Sequence, residues 1–395
     1  METSPSDLVR TPAGWQTLVD NLPDDFEALA KQHKVLEVQY GEAKITTAAE
    51  LLRLVLVHVG ADLPLRQTVA LVAEAGGPDV SHVTLHKKMR LVTSYLGTLV
   101  ARLSAMSAEA LPERWAGYEL LVVDGSSFCE PGADGTNARI HLQLRLADLS
   151  VSSAIVEDQS VGESFKRFVW RPGQLALGDR GYANPPGIVS VVEQGADVLV
   201  RVNRSALPVY ALDGARVDLM SWLRARKGHT PREQRVTVRS REHGSEVHGR
   251  LIAFRLPAAQ AEKARAWVRR EHGSKASALD LEAAHYVVIF TTVPAERMST
   301  AMCLELYRLR WQVELTFKRW KSLCHFDRLP NHRDDTIVSW LYAKLLLAIM
   351  MQRIATGPSL FPPEEPTNEQ FSVAQDAVEE RKHPMARDRC SSAAA

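Results

Sequence analysis

Between Tyr118 and Asp124 the sequence reads YELLVVD, an almost unbroken apolar run stopped by an acid. A strand that is apolar on both faces must be covered on both faces, which places it in the middle of a sheet flanked by other layers. The run QLALGD repeats the pattern and stops at Asp179. ADVLVRVN and HYVVIFTTVP are further runs of buried-strand character, and a helical pattern over Pro186–Gln194 precedes the first of them. RIHLQLRL alternates strictly, with Ile140, Leu142, Leu144 and Leu146 on one face and Arg139, His141, Gln143 and Arg145 on the other. That period predicts a half-buried strand, and VSSAIVED can pair with it. Strands interleaved with helices predict an α/β fold.

The first 105 residues or so have a different period. TTAAELLRLVLVHVG opens on a capping box, Thr47 with Glu50 three residues on, and closes at Gly60. PLRQTVALVAEAGG is a short helix closed by Gly76-Gly77, and VSHVTLHKKMRLVTSYLGTLVARL starts at the N-cap Ser81. Helix, glycine turn and Ser-capped helix make a helix-turn-helix pattern. Its second helix carries Thr84, His86, Lys87, Lys88 and Arg90, either as a DNA-contacting surface or as the solvated basic face of a plain bundle. The segment Arg204–Ala284 is Arg-rich and Gly-interrupted, with short β-like runs, and reads as an insertion. Its basic residues, among them Arg224, Arg226, Lys227, Arg235, Arg239 and Arg241, either line a DNA path or form a solvated surface alternating with acids. Beyond about Thr356 the chain turns Pro-, Glu- and Ser-rich, a composition expected to be poorly ordered.

A net charge of +1 over 395 residues means that any nucleic-acid surface is a local patch. Cys129, Cys303, Cys324 and Cys390 follow no metal-ligand or disulfide spacing and read as isolated thiols in a reducing cytosol. The start METSPSDLVRTPAGW lacks the pattern of a signal peptide. No window is expected to reach the roughly 18–20 apolar residues of a membrane span, and WLYAKLLLAIMM, which contains Lys344, reads as a buried helix.

The segment YRLRWQVELTFKRWK places Tyr307, Arg310, Glu314 and Lys321 at offsets of three, four and seven. At about 100° per residue these four share an arc of roughly 60°. Leu306, Leu309, Val313, Phe317 and Trp320 form the adjoining apolar stripe. A surface helix with a Glu314–Lys318 ion pair would look the same. The two strand-end acids give the helix another reading, because an acid on a buried strand is costly unless it is paired or bound to metal. Three carboxylates converging without Cys or His suit Mg²⁺ or Mn²⁺ rather than zinc. Two such ions serve an in-line displacement at phosphorus. Arg310 and Lys321 would then meet phosphate oxygens, and Tyr307 would hydrogen-bond to phosphate or stack on a base.

Taken together, VVDGSS, LGDRGY and Tyr-x2-Arg-x3-Glu-x6-Lys resemble the DDE transposases of bacterial insertion sequences, in the IS-four group named for its Tyr-Arg-Glu-Lys signature. The resemblance runs from the N-terminal helical region to about residue 345, and the tail beyond the catalytic helices is short and unfamiliar. It implies a ribonuclease-H-like α/β core with the first Asp on the first strand, the second on the fourth and the Glu on a later helix. The implied organisation is a helical, helix-turn-helix domain over 1–105, core segments over 106–203 and 285–356, a β-rich insertion over 204–284 and a tail over 357–395. The catalytic and metal-binding positions fall on Asp124, Asp179 and Glu314. Residues expected at DNA are Tyr307, Arg310, Lys321, Arg180, Tyr182, Lys87, Lys88 and Arg90.

The resemblance further implies Mg²⁺, with Mn²⁺ as substitute, and double-stranded DNA as partner, both transposon ends and target. It implies a homodimer in the paired-end complex and a bacterial, cytoplasmic and nucleoid-associated protein with no membrane partner. Two other readings of the same residues are a Mg²⁺-dependent nuclease that cuts without joining and a DNA-binding regulator without catalysis. A glycosidase carboxylate pair gives Arg310 and Lys321 no role. Ser126 and Ser127 lack the nucleophile-elbow pattern and read as turn residues. His141 and His285 have no ligand partners at metal spacing, and Trp311 reads as packing or as a wedge against a base.

Overall fold

The structure is a computed structural model that describes residues 5–37, 44–105, 115, 117–128, 138–147, 151–158, 162–225, 228, 230–242, 244–310 and 334–356. Helices α1 (Pro5–Arg10), α2 (Pro12–Val19), α3 (Phe26–Gln32), α4 (Ala48–Gly60), α5 (Leu65–Glu74), α6 (His82–Leu91) and α7 (Thr93–Ala105) come first. The expected capping box starts α4: Thr47 Oγ1 accepts from the Glu50 N–H at 3.1 Å, and Glu50 Oε2 accepts from the Thr47 N–H at 3.1 Å. Gly76, in the left-handed region at φ 76°, closes the turn after α5. Ser81 Oγ then accepts from the Thr84 N–H at the start of α6, completing the helix–turn–helix order. One long helix is expected after Ser81; instead the chain breaks at Val92 into α6 and α7.

The strands are β1 (Glu119–Phe128), β2 (Ala138–Arg145), β3 (Val151–Asp158), β4 (Gln174–Gly178), β5 (Asp197–Arg201), β6 (Val209–Tyr210), β7 (Arg232–Arg239), β8 (Glu246–Arg255) and β9 (Tyr286–Thr291). Between them lie α8 (Pro185–Glu193), α9 (Leu219–Arg224), α10 (Ala258–His272) and α11 (Ala278–Ala283); α12 (Thr300–Leu309) and a long helix, Asp334–Thr356, follow. All nine strands form one mixed sheet in the order β3-β2-β1-β4-β5-β9-β8-β7-β6. The β1–β4 and β4–β5 pairs are parallel and the rest antiparallel. This is consistent with a ribonuclease-H-like core, and the strands of the 204–284 segment continue the same sheet through β8 and β9.

The apolar runs alternate between two cores. Leu120, Val122, Leu175, Leu177, Leu199 and Ile289 face a core shared with α4 to α7 and the long helix. Leu121, Val123, Ala176, Val198, Val200 and Phe290 face a second core built with α8 and α9. Both faces are covered, as an unbroken apolar run requires. The polar side of β2 is also covered, which corrects its reading as half-buried. His141 and Gln143 are buried, and Arg145 Nε donates to Glu119 Oε1 at 3.1 Å, so the neighbouring strand supplies the partner that water would otherwise be.

The expectation that no window reaches membrane-span length also needs correction, since Thr336–Ile354 is long and apolar enough. In the fold it packs on α4, α6 and α7, and Leu341, Leu345, Leu346 and Met350 are fully buried. Lys344, fully buried within it, donates to Asp62 Oδ1 at 2.7 Å, which ties this helix to the turn after α4.

Candidate active site

Asp179 follows β4 directly, as expected of an acid at a strand end. Asp124 does not end its strand. It sits within β1, because β2 keeps pairing with β1 as far as Phe128 opposite Ala138 after the parallel pairing with β4 has stopped at Val122 opposite Leu177. The β1–β4 register has a constant offset of 55 residues, from Glu119–Gln174 to Val122–Leu177. Carried two residues further, it puts Asp124 level with Asp179. The alternation that sends Leu120 and Val122 of β1 and Leu175 and Leu177 of β4 to one core also assigns both acids to that face. Two acids 55 residues apart thus stand side by side just past the point where the parallel pairing of β1 and β4 stops, the end of the sheet where open α/β folds bind ligands.

Each acid is held by the chain that follows it. The Gly125 N–H donates to Asp124 Oδ1 at 2.9 Å, and the Gly181 N–H donates to Asp179 Oδ1 at 2.8 Å. Asp124 is buried, at 6% exposure, and Asp179 is half-buried. Glu163, which no sequence pattern singles out, rests against the same two glycines. A Cβ built on Gly125 would lie 2.9 Å from Glu163 Oε1, and one on Gly181 would lie 1.7 Å from Glu163 Oε2 and 3.2 Å from Asp179 Oδ1.

Tyr182 is not at the surface, and its expected DNA contact is corrected: the side chain is fully buried, with its ring 5.3 Å from that of Phe165. Its hydroxyl has no hydrogen-bond partner among the described residues. Burial first, and then the negative charges of Asp124, Glu163 and Asp179, hold its pKa well above the ordinary tyrosine value, so the phenol stays protonated beside the acids. Arg180, next to Asp179, is half-buried.

The helix expected from Tyr307 begins earlier, at Thr300, capped by Ser299 Oγ accepting from the Met302 N–H. Tyr307 is half-buried against the first core, its hydroxyl without a partner among the described residues, and the Arg310 guanidinium lies 5.7 Å from its ring centre. These two signature residues therefore stack on each other. Glu314, Lys321 and Trp311 lie outside the described residues, as do Arg226 and Lys227 of the insertion.

On α6, Lys87 and Arg90 are exposed. Lys88 is turned inward and corrects its expected place at DNA: it is buried, and its ammonium donates to the carbonyls of Val35 at 2.6 Å and Glu37 at 3.0 Å. Burial lowers its pKa, partly opposed by Glu37. In the insertion, Arg224 pairs with Glu282 and Arg239 with Glu246, so part of its basic character is spent on neighbouring acids. Of the cysteines, Cys303 is described. It is buried beside the Arg250 guanidinium, with its pKa raised by burial. His141 is fully buried 3.5 Å from Glu157, with its pKa drawn down to about 4 by burial and then by Arg167 and Arg139.

Among the described residues no group of three His, Cys, Asp or Glu side chains is already gathered as a metal cage. The donors at the site, Asp124, Asp179 and Glu163, are all oxygen donors, a set that suits a hard divalent cation.

The profile of the family described as "Transposase DDE domain" matches residues 145–351, just over half of the chain. The matched range holds Asp179, Tyr307, Arg310, Glu314 and Lys321, and Asp124 lies before it. The chain is 29% identical over 364 residues to the putative transposase InsL for insertion sequence element IS186A of Escherichia coli (strain K12). That alignment covers 90% of this chain and 97% of the relative. It is likewise 29% identical over 365 residues to the transposase for insertion sequence element IS421 of Escherichia coli, with the same coverage. The transposase for insertion sequence element IS231F of Bacillus thuringiensis subsp. israelensis is 27% identical over 195 residues, 45% of this chain and 40% of that protein. Two aspartates at matched register, the tyrosine and arginine of the α12 end and a family match over just over half of the chain lead to one conclusion: the chain belongs to the transposase DDE domain family.

Proposed function

We propose that the protein is an insertion-sequence transposase that binds the terminal inverted repeats of its element, cleaves DNA at the element ends and joins the freed 3′-hydroxyl to target DNA. The observation that carries this reading is the β1–β4 register, which, carried two residues past its last pair, brings Asp124 and Asp179 level. In this reading β3-β2-β1-β4-β5 is the ribonuclease-H-like core. Residues 1–105 form the DNA-binding helical domain, and two protomers hold a pair of ends on double-stranded DNA in the bacterial cytoplasm.

Asp124, Asp179 and Glu314 would hold Mg²⁺ or Mn²⁺, which supplies activation of the attacking oxygen and charge neutralisation in an in-line displacement at phosphorus. The fit is supported by the all-oxygen donor set and by the unpartnered, buried hydroxyl of Tyr182 beside it. The Gly125 and Gly181 N–H groups each hold one oxygen of an aspartate. Arg310, aligned by its stack on Tyr307, and Lys321 engage phosphate oxygens. Arg180 stands next to Asp179 for the same purpose, and Lys87 and Arg90 offer the exposed basic face of α6.

The test compares Asp124→Ala, Asp179→Ala and Glu314→Ala with the wild type on end-bearing DNA. Each variant is expected to lose cleavage while keeping end binding. Near-normal cleavage by any one of them removes that residue from the mechanism. A pre-cut end offered with target DNA separates joining from hydrolysis, and hydrolysed product alone would make the enzyme a nuclease.

A further inference from the structure

Arg250 lies on β8, in the 204–284 segment, yet its side chain serves another part of the chain. It is buried, at 5% exposure. Nε donates to the Val293 carbonyl at 2.9 Å and Nη1 to Glu233 Oε2 at 3.1 Å. Nη2 donates to the Met298 carbonyl at 2.8 Å and to Cys303 Sγ at 3.5 Å. Val293 and Met298 belong to the connection from β9 to α12, and Cys303 lies in the first turn of α12. Glu233 leads to the same place, because its Oε2 also accepts from the hydroxyl of Thr300, the first residue of α12. These four bonds of one guanidinium therefore all reach the start of α12, three directly and one through Glu233.

The strand register explains how one side chain can do this. Arg250 stands opposite Thr291 of β9, and Glu233 of β7 stands opposite Ile252, two residues along β8 from Arg250. Residues two apart on a strand share a face, so Arg250, Glu233 and Ile252 point to the same side of the sheet. Ile252 faces the first core, which also takes in Cys303 and Leu306 of α12. The β1–β4 alternation assigns Asp124 and Asp179 to that same face. Burial of Cys303 and Leu306 holds α12 against the sheet, but apolar attraction is non-directional and leaves a helix able to slide or tilt. The turn before α12 is closed by its own backbone, the Arg297 and Met298 N–H groups both donating to the Pro294 carbonyl at 3.1 Å. Those bonds shape the turn without tying it to the sheet. The Arg250 fork supplies directional ties, since a planar guanidinium fixes several acceptors at set angles as an ammonium does not.

We propose that Arg250 is a positioning residue for the reaction. With Glu233 it sets where α12 begins and how it is aimed, and so where Tyr307 and Arg310, about two to three turns further on, stand relative to the two aspartates. The proposal rests on the reading of the protein as a transposase. It gives the 204–284 segment a part in catalysis that needs no contact with DNA.

The test compares the full-length wild type, Arg250→Lys and Thr300→Val. Arg250→Lys keeps the charge and removes the fork. Thr300→Val removes one hydroxyl of the same clamp, leaves the buried guanidinium in place, and carries the test if Arg250→Lys does not fold. Without DNA, hydrogen exchange of the α12 amides is expected to quicken about tenfold in Arg250→Lys and about threefold in Thr300→Val, with β1, β4 and the long helix as slow as in the wild type. On end-bearing DNA with Mg²⁺, cleavage per bound complex is expected to fall about tenfold and about threefold, with end affinity kept within about twofold, because a displaced group slows the reaction without dissolving the complex. A merely structural role lowers the melting temperature and the folded fraction but not the rate per bound complex. Unchanged α12 exchange in the folded variants, or wild-type cleavage per bound complex once α12 has loosened, overturns the role of Arg250 and leaves the transposase reading standing. A wild type that binds ends yet does not cleave them overturns both.

Discussion

Replacing Asp124 by Asn should stabilise the protein while disabling it. Adjacent strands are about 4.8 Å apart, and Asp124 and Asp179 stand level on two of them, with Asp124 buried. At ~5 Å and an effective dielectric constant of about 20, two negative charges repel by roughly 3 kcal/mol. Asparagine keeps an oxygen to accept from the Gly125 N–H, so the local hydrogen bond survives while the charge disappears. Attraction between Asp124 and positive groups around the site takes back part of the gain, leaving a net stabilisation of about 1–2 kcal/mol. At about 1 °C per kcal/mol for a chain of 395 residues, the melting temperature in EDTA rises by about 1–2 °C.

With a divalent ion the order reverses. A ligand at a hundred times its dissociation constant stabilises the native state by about 2.7 kcal/mol, and the variant forfeits most of that. Thermal unfolding of both proteins, in EDTA and then in saturating Mn²⁺, should therefore give crossing results: variant above wild type without metal, and below it with metal. An Asp124→Asn protein that melts below the wild type in EDTA and gains as much as the wild type from Mn²⁺ would refute the paired-aspartate argument, because neither the repulsion nor the shared ion would then exist.

Two further outcomes follow from buried polar groups. His141 has a folded pKa of about 4, against about 6.5 when unfolded, so the unfolded chain binds the extra proton. Stability is intact above about pH 6.5 and is lost as pH falls towards 4, by about 2–3 kcal/mol at pH 4.5. Urea unfolding at pH 7 and 4.5 should show that loss shrinking by this amount in His141→Leu, and an unchanged pH dependence would refute it. On α6, Lys87→Ala and Arg90→Ala should each reduce the salt slope of DNA binding by up to about one unit while leaving stability unchanged. Lys88→Ala should destabilise the fold by about 1–3 kcal/mol, because the Val35 and Glu37 carbonyls lose their donor; equal salt-slope effects from all three lysine and arginine variants would contradict the burial of Lys88.

How far the sequence could be read depended on the range of the interactions involved. The capping box at Thr47, the N-cap at Ser81 and the apolar strands are local patterns, and each formed where the pattern put it. The inward turn of Lys88 was also legible. Leu85, Lys88, Met89 and Val92 share the i, i+3, i+4, i+7 stripe, so the lysine occupies a core position in a helix read for its basic face. The burial of His141 and Gln143 was not, because alternation along one strand says nothing of whether its polar side meets water or a neighbouring element.

Pairing between strands lies further out of reach. Asp124 looked like a strand end because the apolar run stops there, but antiparallel pairing with β2 carries the strand onward, and the position that matters is set by its parallel partner 55 residues away. Glu163 shows the same limit. Its loop has no period and no motif, and the signal it leaves lies in other residues, the glycines after each aspartate. Neither Gly125 nor Gly181 is in the left-handed region. What each position requires is the absence of a side chain, because a carboxylate from another part of the chain occupies the space. A glycine beside an acid at a strand end therefore asks two questions, how the chain turns and what approaches it, and in this chain only the three-dimensional register answers the second.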